Sequence, residues 1–127
     1  MDKNLIAPCG INCGVCRAHL REKNRCPGCK NSPTLKSCQN CKIKLCNKRK
    51  GEYCLPRAES RGGCADFPCE RLKHLDKRYR EKYGMSEIEN LEFIKKHGIE
   101  KFLRNQIKKY ICNKGILCVH DRKFYKG

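Results

Sequence analysis

The chain has no tryptophan and only nine aromatic residues in 127, and residues 1–69 hold just two of them, Tyr53 and Phe67. So few large side chains make a thin core, and that half needs covalent or metal staples to fold. No apolar run approaches the roughly 18–20 residues of a membrane span, which excludes an integral helical membrane protein. The opening "MDKNLIAPCG" lacks the apolar stretch of a signal peptide, so a cytoplasmic location is expected. No Ser/His/Asp arrangement and no glycine-rich phosphate loop is visible, and no catalysis is expected. Acidic residues are scarce as well: 13 stand against 30 lysines and arginines, for a formal charge of +17.

Cysteine is abundant instead. There are 13, and eleven of them, with all five prolines, lie at or before Cys69. This composition shift divides one expected domain, 1–127, into three parts. A Cys-rich half (1–69) would consist of loops, knuckles and a short strand or two. A helical half (70–111) follows, then an irregular tail (112–127). In the helical half, "FPCERLKHLDKRYREKYG" places Pro68 in a first turn and Gly84 at a stop, with Leu72, Leu75, Tyr79 and Tyr83 on one stripe. "MSEIENLEFIKKHG" opens with the capping pair Ser86 and Glu89 and closes at Gly98, with Ile88, Leu91 and Ile94 inward. "IEKFLRNQIKKYI" aligns Ile99, Phe102, Leu103, Gln106 or Ile107, and Tyr110. The fold class is thus a small metal-stapled, α-rich and irregular domain, with two to three short helices covering the cysteine loops.

The staples read as metal. Disulfides are rare in a reducing compartment, and an odd cysteine count leaves one over. The cysteines also fall in C-x-x-C units, in which the chain curls so that both sulfurs face one ion. "CPGC" (Cys26 to Cys29) suits this, because proline fixes one dihedral and glycine permits a left-handed residue. Three such units between Cys13 and Cys41 make a strong signal. Zinc, Zn2+, is the preferred ion, since four-cysteine sites built from two knuckles are a common structural form. The alternative is a 4Fe-4S cluster, which also takes four cysteines. Cys9, Cys13 and Cys16 have the C-x-x-x-C-x-x-C spacing of radical S-adenosylmethionine enzymes, but the chain lacks the length and the strand–helix alternation for their barrel.

Spacing suggests a partition of the ligands. Cys9, Cys13 and Cys16 supply three sulfurs to a first site, with Cys69 as the fourth. Cys26 and Cys29 join Cys46 and Cys54 in a second. Cys38 and Cys41 either substitute in that second site or form a third with Cys112 and Cys118. Cys64 is left free or exchanges with Cys69. The four histidines are expected to be solvated or structural, although His120 stands two residues past Cys118.

"LIAPCGINCGVC", "RCPGC", "SCQNCKIKLC", "FPCERLKHLDKRYREKYGMSEIENLEFIKKHGIEKFL" and "CVH" together resemble a prokaryotic cysteine-rich family, domain of unknown function 3795. The resemblance runs from Leu5 to about His120. It implies a small cytoplasmic metal-binding protein and brings no activity with it. Two other functions fit the composition: a small iron–sulfur redox or electron-transfer protein, and a zinc-dependent nucleic-acid-binding module.

The positive charge outlasts metal binding, because a divalent ion in four thiolates carries a net −2 and two such sites remove little of +17. It is also spread along the whole chain. Such a surface attracts polyanions without reading their sequence. Two nucleic acids of unrelated sequence should therefore bind weakly and alike, with affinity falling steeply as salt rises through counterion release. Tight, salt-resistant binding to one of them would favour the nucleic-acid module instead.

Overall fold

The computed structural model describes residues 1–30, 36–47, 53–56 and 64–126. Two short helices lie in the cysteine-rich half, α1 (Arg17–Leu20) and α2 (Lys36–Gln39), with 3₁₀ turns at Lys3–Leu5 and Cys13–Val15. Three longer ones follow: α3 (Glu70–Tyr83), α4 (Glu87–His97) and α5 (Ile99–Tyr110). No helix among the described residues is long and apolar enough to cross a membrane.

The helix boundaries follow local chemistry. α3 starts at Glu70, two residues after Pro68, and ends at Gly84, whose N–H bonds back to Arg80 and Tyr79. α4 is capped by Ser86, whose hydroxyl accepts from the Glu89 N–H at 3.1 Å. That hydroxyl also donates to Asp76 on α3 at 2.6 Å, and the same Asp76 oxygen accepts from the Ile88 N–H at 3.0 Å. Asp76 therefore acts as a second cap for α4, supplied by a different helix. Its other oxygen holds Arg80 Nε at 2.8 Å. Gly98 both ends α4 and starts α5.

The expected apolar stripes meet in two clusters. Leu72, Leu91, Ile94 and Phe102 from the three long helices pack on Ile6, Ala7, Ile43, Tyr53 and the thiols of Cys9, Cys13, Cys29 and Cys54. Val15, Met85, Tyr110 and Val119 form the second, with Tyr79 and Tyr83 against it. The helical half thus covers the cysteine half through apolar contact. Of the residues expected on the inner face of α5, Gln106 is buried and Ile107 is exposed.

The tail differs from the irregular segment expected. β1 (Ile111–Cys112), β2 (Gly115–Leu117) and β3 (Phe124–Tyr125) form a three-stranded antiparallel sheet in the order β1-β2-β3. Pairing of Ile111 with Ile116 and of Cys112 with Gly115 leaves a two-residue turn. Strands of two or three residues are too short to show an alternating pattern, which is why the sequence conceals them. In the described part of the cysteine-rich half, β structure consists of the isolated bridges Ile6 to Asn12 and Pro56 to Cys64.

The loop around Cys9 lies directly on α4. Gly10 has φ +90°, and a Cβ there would come within 2.8 Å of the Glu87 carbonyl oxygen and 2.9 Å of Leu91 Cγ. Gly10→Ala should cost about 2–4 kcal/mol of unfolding free energy, combining left-handed strain with overpacking. Gly98→Ala, at φ +89° with nothing within 4 Å of the added Cβ, should carry the strain alone. Denaturant unfolding of both variants checks this, and equal losses would show that the Gly10 contact with α4 contributes nothing.

Candidate metal centre

The stretch from Ala7 to Cys16 is shaped by its own backbone. The Ala7 N–H bonds to the Ile11 carbonyl at 2.8 Å and the Gly10 N–H to the Ala7 carbonyl at 2.9 Å, closing a tight loop around Cys9. Asn12 then caps the 3₁₀ turn that carries Cys13, accepting from the Gly14 N–H at 2.9 Å. The turn brings Cys16 back, with its N–H on the Cys13 carbonyl at 3.1 Å. The "CPGC" unit is aligned by a bond from the Cys26 N–H to the Ala18 carbonyl at 2.8 Å, and Gly28 has the positive φ, 108°, that the knuckle was expected to need.

These two segments face each other. The Cys29 N–H donates to Cys13 Sγ at 3.5 Å, and the Cys13 and Cys29 thiols are hydrogen bonded to each other. Cys16 lies within electrostatic reach of Cys26. Two C-x-x-C units, Cys13/Cys16 and Cys26/Cys29, thus run head to tail, with Cys13 opposite Cys29 and Cys16 opposite Cys26. Further thiols surround them. Cys38 donates to Cys29, and Cys9 lies within reach of Cys41, Glu87 and Cys29.

Cys69, placed in the first site by spacing, lines a cavity together with Cys46, Cys54 and Cys64. Cys112 is exposed on β1 and accepts from the Lys114 N–H at 3.4 Å. Cys118 is buried after β2, its N–H on the Lys123 carbonyl at 2.9 Å. None of the 13 cysteines, all among the described residues, is joined in a disulfide. As placed, the described residues include no group of three or more His, Cys, Asp or Glu side chains that could hold a metal ion.

The thiols have unlike acidities. Hydrogen bonds donated by Cys13 and Cys38, helped by the positive charge of Lys44, bring Cys29 down to about 6 against the opposing effect of burial. The same bond to Cys29, with burial added, pushes Cys13 up. Burial also raises Cys9 and Cys16. One thiolate, held by neighbouring S–H donors, is what a buried thiol cluster can carry without a counter-charge. Ionising more of these thiols requires a cation.

The histidines are engaged in other ways. His120 Nδ1 accepts from the Arg17 N–H at 3.2 Å, Nε2 meets the Tyr79 hydroxyl at 3.2 Å, and the ring packs edge-on against Tyr79 and Tyr83. His19 Nδ1 is 2.7 Å from the Cys26 carbonyl. His97 is packed against Phe93.

Glu87 is the site neighbour that sequence reading missed. It is fully buried, and neither carboxylate oxygen has a hydrogen-bond partner among the described residues. A signal existed, because Glu87, Leu91 and Ile94 are spaced four and three apart on the buried face of α4.

Compared with protein-family models, curated proteins and solved structures, the chain returns no match.

Burial raises the Glu87 carboxyl from its ordinary 4.5 to about 8. Between these values the folded protein keeps a proton that the unfolded chain has released, so this residue makes stability fall as pH rises from about 4.5 to 8. Glu87→Gln keeps the shape and removes the titration. Measured by denaturant unfolding, the variant should gain on the wild type by on the order of a few kcal/mol across that window. A stability difference that stays flat with pH would show that Glu87 does not hold its proton.

Proposed function

We propose that this is a metal-binding protein, zinc preferred, whose centre is formed by Cys13, Cys16, Cys26 and Cys29. The observation that carries this reading is the head-to-tail pairing of the two C-x-x-C units, with Cys13 and Cys29 already in hydrogen-bond contact. Zinc bound at about 2.3 Å by four sulfurs in a tetrahedron needs those sulfurs about 4 Å apart. One pair meets that spacing, and the other is carried on the same two turns. The Cys29 N–H on Cys13 Sγ is the kind of outer-shell bond that orients a thiolate ligand and spreads its charge. In this reading two sulfurs, those of Cys26 and Cys29, come from the "CPGC" knuckle in place of Cys9 and Cys69. The thiols of Cys9, Cys38 and Cys41 lie around the site.

The role is structural. Metal binding supplies free energy for folding a half that is poor in apolar side chains, and the two become one equilibrium. The resemblance to the domain of unknown function 3795 family accords with a metal-binding protein of the cytoplasm, where reducing conditions keep thiols available for metal.

The test is metal content together with fold. Cys13→Ser and Cys26→Ser should each lose about one zinc per chain and lower the melting temperature, while Cys112→Ser should keep both. Chelation should abolish cooperative melting followed by circular dichroism. Full zinc content in Cys13→Ser and Cys26→Ser would overturn the assignment.

A further inference from the structure

Four cysteines outside that centre share one cavity wall. Cys46, Cys54, Cys64 and Cys69 line a half-open cavity of about 590 Å³. Cys54 and Cys64 are buried, and Cys46 and Cys69 are half-buried. Each is fixed by main-chain bonds. The Cys54 N–H donates to the Pro8 carbonyl at 2.8 Å, the Cys64 N–H to the Leu55 carbonyl at 2.8 Å and the Cys46 N–H to the Ile43 carbonyl at 3.3 Å. Cys69 occupies the N-cap position of the 14-residue helix α3, and its side chain makes no capping hydrogen bond.

We infer that these four residues form a second centre that binds a [4Fe–4S] cluster. Three observations lead there. The first is number and kind: four cysteines from four separate places line one space, and four thiolates are the ligand set such a cluster takes. The second is width. The cavity, at about 590 Å³, far exceeds the about 10–15 Å³ that a single water needs, so it has room for a group of several atoms. A polynuclear group spans thiolates spread around a space of that size, where a lone ion would leave most of it empty. The third is charge. A 2+ cluster with four thiolates has a net −2, and Cys69, at the N-cap of α3, sits where the helix dipole favours negative charge. Lys42 and Arg71 line the cavity alongside Asp66 and Glu70, and Glu70 is drawn off by Lys73 at 3.5 Å.

This inference goes beyond the zinc centre and does not rest on it. Anaerobically purified protein, treated with ferrous iron and sulfide, is assayed for iron, acid-labile sulfide, zinc and cluster absorption. The wild type should carry about four iron and four sulfide per chain. Cys46→Ser and Cys69→Ser, both at half-buried positions, should lose the iron and sulfide and keep the zinc. Cys13→Ser should do the reverse, so failure of one centre is told apart from failure of the other. Circular dichroism of the α3–α5 helices confirms that each variant is folded, and Cys69→Ala serves where Cys69→Ser is not. Failure of the wild type to take up iron, zinc filling this cavity as well, or full iron content in folded Cys46→Ser and Cys69→Ser would overturn the inference.

Discussion

With no side chain at Gly10, the loop holding Cys9 and Cys13 rests directly on the first turns of α4, and the rest of the arrangement depends on that contact. Polar bonds lock it. Asn90 of α4 donates to the Gly10 carbonyl at 2.9 Å. Asn12, fully buried, donates to Gln106 of α5 at 3.1 Å and to Met1 Sδ at 3.3 Å, while its oxygen accepts the Gly14 N–H. A buried amide left unpaired costs about 1–3 kcal/mol, so Asn12 and Gln106 are strongly constrained to each other. Through this pair, a turn that carries a candidate ligand is placed by a helix more than 90 residues away in sequence.

The same seam concentrates charge that the protein cannot carry alone. Cys9, Cys13 and Cys16 are all held toward their neutral forms, and Glu87 beside them keeps its proton well above the usual carboxylate range. Low-dielectric surroundings penalise each added anion, and the anions repel one another. A bound dication reverses this, because it is attracted to every thiolate that disfavours its neighbours. Clustered thiols that are uncomfortable together without metal are therefore suited to holding one. The overall charge of +17 has little part in this, since most of it lies on exposed lysines and arginines.

Much of the helical half was legible in the sequence. The stop at Gly84, the cap at Ser86 and the break at Gly98 are local signals, and each coincides with a boundary. The stripes of α4 and α5 pointed inward largely as their spacing indicated. Asp76 was not legible as a cap, because it belongs to α3 and meets α4 only after the two have packed. The strands of the tail escaped notice because they are two or three residues long. Among the cysteines, the C-x-x-C units were readable as units. Which unit faces which was not, because that depends on loop paths with no periodicity. The "CPGC" turn places its two sulfurs by local geometry alone, whereas the neighbours of Cys69 are set by where α3 begins.

The two thiol groups are also joined mechanically. The Cys54 N–H bonds to the Pro8 carbonyl, so the loop that carries Cys9 and leads into Cys13 holds one wall of the cavity lined by Cys46, Cys54, Cys64 and Cys69. Ile43 belongs to the main core and lines that cavity as well, between Cys41 on one side and Cys46 on the other. Ordering either thiol group by metal removes conformational freedom that the other would otherwise have to remove for itself. If both fill, binding at each lowers the cost of binding at the other by the same factor, because coupling free energy is reciprocal. A half with two aromatic residues in its first 69 would then fold cooperatively, with its order coming from two metal centres and a shared strip of backbone in place of a large apolar core.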